Sequence, residues 1–364
     1  MRFPGFEGEW ARCTLGEIGE PYIGLTYSPA DVVNEGGTIV FRSSNIQNGE
    51  IDYSDIVRVN KKIKDSIITR KDDLLICARN GSPRLIGKNA LLKDADAGQT
   101  FGAFMLVFRS NDNHFVHQLL STKGYYSQVS ENLGARINQI TTSNIKDFEF
   151  YFPKSIAERN KIAVFLNLID ERISIQNKVI EKYESLIKAL AHEIIGKNAP
   201  NKTLSECVCC TSSILKESDL EEAGAVPVYG AAGISGFTDS VLYRGEDSIL
   251  ITKDGSGVGS LRYVRGPHSF VGTLNSMTPK EGIYLPYIYY ALQDVCFESY
   301  RTGQAIPHIY FKDYGKEAIY CPSYEEQVRM AIGLEKIDAK IGLEKAALQS
   351  YKSAKVYLLS AMLI

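Results

Sequence analysis

The stretch Arg79-Asn-Gly-Ser-Pro-Arg84 gathers two guanidinium groups, a carboxamide and a hydroxyl within six residues. Arginine can hold the two acceptors on a guanine edge, and asparagine can match the acceptor and donor of adenine. Gly81 lets a backbone approach such a surface closely. Ser82, Arg84 and, just beyond, Lys88 add further donors. This is hydrogen-bond recognition, not bond making. Residues 58–93 hold ten basic side chains against Asp65, Asp72 and Asp73, a local charge of +7 that could face phosphates. A solvated charged face would look the same.

Two more loops carry the same chemistry. Arg42-Ser-Ser-Asn-Ile46 offers Arg42, Ser44 and Asn45, and Gly134-Ala-Arg-Ile-Asn-Gln139 offers Arg136, Asn138 and Gln139. All three loops have later counterparts. The Arg79 loop recurs as Lys253-Asp-Gly-Ser256, which supplies Lys253 and Ser256 with Arg262 shortly after. The Arg42 loop recurs as Tyr229-Gly-Ala-Ala-Gly233, and Gly303-Gln-Ala-Ile-Pro-His308 supplies Gln304 and His308. Gly134 and Gly303 are expected to end helices.

Other chemistries fail on spacing. No two prolines are adjacent, which removes the Pro-Pro motif of amino-methyltransferases. Gly87, Gly196 and Gly315 each precede a lysine but are followed by Asn, Asn and Glu, so no phosphate-binding P-loop exists. Gly255-Ser-Gly-Val-Gly259 reads as a turn. Cys207, Cys209 and Cys210 lack the paired spacing of a zinc site, and His114 and His117 lack a third ligand. Cys207 falls where Ile18 stands in an earlier copy, which favours a small buried hydrophobe. No metal and no catalysis are expected of this chain alone.

The elements that position these loops come from an internal repeat. Thr14-Leu-Gly-Glu-Ile18 recurs as Thr203-Leu-Ser-Glu-Cys207, an offset of 189. The stretch from Asp73 to Ser82 recurs from Asp247 to Ser256 at 174, and Gly134, Ile140 and Pro153 match Gly303, Ile309 and Pro322 at 169. From Glu158 onward the offset stays at 168. A module of tolerant length is thus followed by a segment in strict register.

That segment repeats apolar residues in a 4-3 pattern: Ile162, Leu166, Ile169, Ile173, Gln176, Ile180, Tyr183 and Ile187. Its copy runs Leu334, Ile337, Ile341, Glu344, Leu348 and Tyr351. Such a seam predicts two long helices that pair with each other, and a polar residue at the same station, Gln176 or Glu344, sets register. The variable modules read as α/β. Strands are expected at 38–41, 74–78, 104–108 and 148–152, with a helix at 114–132. In the second module, strands fall at 248–252 and 317–320, with a helix at 285–301. The chain divides into modules 1–155 and 199–322, each followed by a long helix, 156–198 and 323–364.

The whole chain has 364 residues, 41 basic against 43 acidic side chains, and seven cysteines. That length suggests more than one domain. The apolar run 356–364 is too short to span a membrane, no export signal opens the sequence, and an odd number of cysteines suits a reducing cytoplasm. The near-neutral sum hides unlike parts: zero over 1–155 and −4 over 199–322.

The order of these elements resembles the DNA-specificity subunit of Type I restriction-modification systems. The resemblance rests on Trp10…Thr14-Leu-Gly-Glu-Ile18, Leu74-Leu-Ile-Cys-Ala-Arg-Asn-Gly81, Asn144-Ile-Lys-Asp…Phe150-Tyr-Phe-Pro153…Glu158 and Pro322…Glu326-Gln327. The second copy lacks the opening tryptophan and is about twenty residues shorter. The resemblance implies a non-catalytic reader with two α/β target-recognition domains, separated by two helices forming an antiparallel coiled coil. Each domain would touch one half of an asymmetric bipartite site on double-stranded DNA. Its implied partners are two adenine methyltransferase subunits bringing S-adenosylmethionine, and a restriction subunit bringing ATP and Mg. A helix of this length would be about 55–60 Å long, enough to hold two readers over half-sites about 34–36 Å apart. The competing reading is a tandem protein- or glycan-binding module on a coiled coil, suggested by the acidic second module.

Overall fold

A computed structural model describes residues 2–133, 138–239, 242, 246–303 and 306–363. The chain forms two compact units, Met1–Asn177 with Ala347–Ile364, and Lys178–Ala346. Each long helix, Ile156–Ala191 and Tyr324–Met362, contributes to both.

The first unit holds two four-stranded sheets. One orders Glu20–Ile23, Met105–Arg109, Leu74–Cys77 and Asn89–Leu91, antiparallel throughout. The other orders Thr100–Phe101, Thr38–Phe41, Val57–Val59 and Val32–Val33, with Val40 beside Thr100 in a parallel pair. All four residues of Leu74–Cys77 are buried. A strand covered on both faces needs a continuous apolar run, and Leu-Leu-Ile-Cys is one. Ala11–Thr14 pairs with Glu149–Phe152, and Thr14 then opens a short helix whose Glu17 carboxylate accepts from the Thr14 N–H at 2.6 Å.

The second unit repeats this plan. Val208–Ser212, Leu274–Pro279, Ser248–Thr252 and Leu261–Val264 form its four-stranded sheet. A three-stranded sheet orders Gly233–Thr238, Val226–Gly230 and Ser269–Phe270, again with one parallel pair. Thr203 and Glu206 repeat the opening cap at 2.6 Å.

Strand pairing corrects the repeat register. Met105 faces Cys77 in the first unit, whereas Leu274 faces Thr252 in the second. Beyond these strands, Arg79 bridges Gln139 and Asp254 bridges His308. Arg79 therefore corresponds to Asp254, not to Lys253, and the offset here is 175 rather than 174. The second loop reaches the same backbone station one residue later.

Two expected helices are broken. Asn113–Leu119 and Lys123–Glu131 replace a single helix, because the Thr122 side chain accepts from Tyr125 N at 3.3 Å and restarts the chain. In the second unit Leu285–Ala291 gives way to the 3₁₀ turns Leu292–Asp294 and Phe297–Tyr300. Gly303, at φ +83°, follows Thr302, whose backbone pairs with that of His308, and the preceding 3₁₀ turn already stops at Tyr300, so this glycine ends no helix. Gly134 lies outside the described residues.

The long helices run antiparallel. In the first unit Lys355 pairs with Asp170, and Arg172 donates to the Tyr351 hydroxyl at 3.3 Å. In the second unit Lys345 meets Glu184 at 2.7 Å. Along the 4-3 rows Ile162, Leu166, Gln176, Ile180, Ile187, Leu334 and Ile341 are buried, and Ile169, Ile173, Tyr183, Ile337, Glu344, Leu348 and Tyr351 are half-buried. Glu344 binds Lys340 at 2.6 Å. Ile162, Leu166, Leu359 and Met362 enter the core of the first unit. No helix among the described residues is long and apolar enough to cross a membrane.

Two consequences can be measured. Asp73 is buried and takes Arg109 through both carboxylate oxygens, at 2.9 and 3.0 Å. Asp73→Ala leaves that guanidinium without its counter-charge and is expected to cost about 3 kcal/mol in urea unfolding. Asp73→Ala with Arg109→Met should recover part of the loss. His117 faces Asp170, Lys355 and His114, and burial lowers its pKa to about 4. The unfolded chain then binds the extra proton between about pH 6.5 and 4, so the stability held by neutral His117 is lost as pH falls through that window. Between about pH 7 and about pH 5 the wild type should lose more stability than His117→Asn.

Candidate nucleic-acid interface

The candidate loop of the first unit starts where the buried strand Leu74–Cys77 runs out. Ala78 N and Arg79 N both donate to the Phe104 carbonyl at 2.9 Å. Ile140 N donates to the Ala78 carbonyl at 2.9 Å, and Asn80 N to the Asn138 carbonyl at 3.3 Å. The Asn138 side chain donates to the Gly81 carbonyl at 3.0 Å. Two loops distant in sequence are thus stitched together through their backbones, which leaves little freedom for the side chains they carry.

Arg79 is exposed, and its guanidinium lies over the Phe104 ring, 4.9 Å from the centroid. Phe104 itself is 57% exposed. An aromatic face under a guanidinium holds its plane while leaving the N–H edge available. The pair sits in a cleft of about 1140 Å³. Leu25, Tyr27, Pro29, Val32 and Met105 supply its apolar side, and Arg42, Ser43, Ser44, Asn80 and Asn138 its polar side. Arg42, Ser44, Arg79, Asn80 and Asn138, expected from three separate loops, therefore come together in one place.

Two of the expected contacts have structural duties. Asn45 is buried: its side chain accepts from Arg42 N at 2.8 Å and donates to the carbonyls of Asp52 and Asp55. Asn80 donates to Ser43 Oγ at 3.0 Å and accepts from Ser82 N at 3.0 Å, so both ends of its amide brace the loop. Arg42 meets Asp55 at 2.7 Å, while its Nε is buried with no partner among the described residues. Ser82, Lys88 and Gln139 are half-buried, and Arg84 is exposed on the 3₁₀ turn Pro83–Leu85. None of these four lines the cleft. Arg136 and Gln304 lie outside the described residues.

The basic stretch is partly discharged by acids from beyond its ends. Lys61 pairs with Asp31, Lys71 with Asp94 and Lys93 with Glu50, at 3.3, 2.9 and 2.6 Å. A count along the sequence misses this, because all three carboxylates fall outside residues 58–93.

In the second unit Lys253 N and Asp254 N share the Thr273 carbonyl, as Ala78 and Arg79 share that of Phe104. Lys253 is half-buried and its ammonium pairs with Asp254, so it is not an independent cation. Arg262 lies over the Tyr229 ring at 5.7 Å, His308 packs edge-on against Tyr310 at 4.9 Å, and Ser256 is exposed. Sequence reasoning passed over Phe104 and Asp254. An aromatic directly after Gly102-Ala103, ahead of an apolar strand, was the available signal for the first.

The cysteines and histidines have separate surroundings. Burial, aided by the neighbouring Cys321 thiol, pushes Cys207 up to about 12, and burial pushes Cys210 up to about 11. Cys209 is exposed on the same strand. His114 contacts Asp72 at 3.1 Å. Among the described residues no three His, Cys, Asp or Glu side chains converge to hold a metal.

Comparison with known proteins gives a consistent result. The family described as Type I restriction modification DNA specificity domain matches residues 7–185 and 204–351. The Type I restriction enzyme EcoKI specificity subunit of Escherichia coli (strain K12) is 27% identical over 205 residues, 54% of this chain and 44% of that protein. The StySPI specificity subunit of Salmonella potsdam is 25% identical over 196 residues, 51% of this chain and 42% of its own. The matched stretch spans less than half the length of these curated relatives. A crystal structure of a Type-I restriction-modification system S subunit from M. genitalium, 21% identical, has a TM-score of 0.64 and covers 100% of this chain and 97% of that one. That likeness extends to the fold of both repeats. With two matched blocks taking in most of its residues, the chain belongs to the Type I restriction modification DNA specificity domain family.

Proposed function

We propose that this chain is the reading subunit of a Type I restriction-modification complex. It binds an asymmetric, bipartite site on double-stranded DNA and does no chemistry itself. The observation that carries this reading is the cleft of the first unit, where Arg79, Ser44 and Asn138 converge on a loop fixed through its backbone. Preset donors on a rigid loop suit base-edge readout, since their ordering cost is met before binding. The same backbone arrangement in the second unit carries different side chains, as an asymmetric target requires.

The paired long helices, through the rows Ile162 to Ile187 and Leu334 to Tyr351, form the scaffold that docks two adenine methyltransferase subunits. Those subunits bring S-adenosylmethionine, and a restriction subunit, where present, brings ATP and Mg. The complex works in the cytoplasm. Exposed apolar side chains on these helices, among them Leu168, Leu343 and Val356, support a docking role.

Reconstitution with the methyltransferase subunits, followed by sequencing of the methylated DNA, tests the reading. One bipartite motif is expected, and methylation without any motif rejects it. Arg79→Ala should relax one base of one half-site by about 1–3 kcal/mol and leave the other half-site intact. Raising the salt concentration should weaken binding of wild type and variant alike, because phosphate contacts release counterions.

A further inference from the structure

One backbone station, built alike in both units, carries opposite charges. In the first unit Arg79 donates its N–H to the Phe104 carbonyl and bridges Gln139. In the second Asp254 donates to the Thr273 carbonyl and bridges His308. The sequence repeat hides this, because its alignment sets Arg79 against Lys253. The supports differ to match. Arg79 lies on the Phe104 ring, which fixes the plane of its guanidinium. The residue whose carbonyl takes the Asp254 N–H is Thr273, not an aromatic, and the carboxylate is held through Oδ2 by the ammonium of Lys253. Its side chain is 35% exposed, so Oδ1 can still accept from outside. Pairing with Lys253 also reduces the repulsion a bare carboxylate would meet beside phosphates.

We propose that the residue at this station selects one base in each half-site: Arg79 a guanine in the first, Asp254 a cytosine in the second. The guanidinium edge matches the O6 and N7 acceptors of guanine, and a carboxylate accepts from the cytosine N4 amino group. Adenine also presents an amino group, but its N7 acceptor stands beside it and repels a carboxylate. Phe104 and Lys253 are positioning residues, one for each reader. The inference rests on the DNA-reading function proposed above and adds the identity of two bases.

The test is selection from a randomised pool of duplex DNA by the full chain in complex with its methyltransferase subunits. Wild type should enrich a motif with a fixed guanine in one half and a fixed cytosine in the other. Asp254→Asn should lower the preference for that cytosine by about tenfold or more and leave the guanine unchanged. Arg79→Lys and Phe104→Leu should both relax the guanine and leave the cytosine unchanged. Lys253→Gln keeps the carboxylate but removes its holder, and should weaken selection at the same cytosine, which covers the case of an Asp254 variant that fails to assemble. A bipartite motif that Asp254→Asn and Lys253→Gln both leave unaltered overturns the assignment alone. So does an equal loss at both half-sites. A wild-type complex that enriches no motif overturns the reading function and the assignment with it.

Discussion

A strand with both faces covered cannot show a side chain to a partner, and the rest of each unit follows from that. Leu74–Cys77 and Ser248–Thr252 are buried along their whole length. Whatever these strands position must therefore appear at their ends, where the ladder of hydrogen bonds stops. In both units one carbonyl, of Phe104 or Thr273, accepts two consecutive N–H groups and turns the chain outward at the same place. Leaving either N–H unpaired beside the core would cost about 1–3 kcal/mol, so the turn is fixed independently of the side chains beyond it. Side chains can then change between copies while the frame stays the same.

The charge of the molecule needs the same local treatment. A total of −2 says little about a surface where ion pairs join residues remote in sequence. Lys61, Lys71 and Lys93 already have carboxylate partners. Exposed pairs of this kind contribute under about 1 kcal/mol, so exchanging a carboxylate for a phosphate would cost little. Arg109 is different: it is nearly buried, bound to Asp73 and stacked over Tyr22, and belongs to the architecture. Cations adjacent in a composition count thus divide into those that hold the fold and those that can meet a polyanion.

Much of the architecture could be read from residue patterns, because the relevant signals are local. The 4-3 rows point to the long helices, and the caps at Thr14 and Thr203 mark equivalent starts. What escaped depends on partners far away in sequence. Asn45 and Asn80 have the right side chains for base contacts, but Asp52 and Asp55 take both amide donors of Asn45, and the Asn80 amide braces Ser43 and Ser82. The break between Leu119 and Lys123 comes from one threonine capping a new helix inside a sequence that helical periodicity alone would carry through. The single-residue slip between copies was concealed by similarity itself: Asp-Gly-Ser resembles Asn-Gly-Ser more closely than the strand register permits. The pairing of Thr252 with Leu274, against Cys77 with Met105, and the bridges Arg79–Gln139 and Asp254–His308 reveal it.

The division of the long helices between units bears on the order in which the protein can form. Leu359, Met362 and Leu363 lie in the same core as Leu15, Phe108 and Phe152. During synthesis those last apolar side chains leave the ribosome only after the entire second unit has done so. The first unit must wait with part of its core open, while the second, continuous from Lys178 to Ala346, has all its residues at hand sooner. Domains commonly fold from the amino end as they emerge. Here completion runs the other way: the unit begun first is the one closed last.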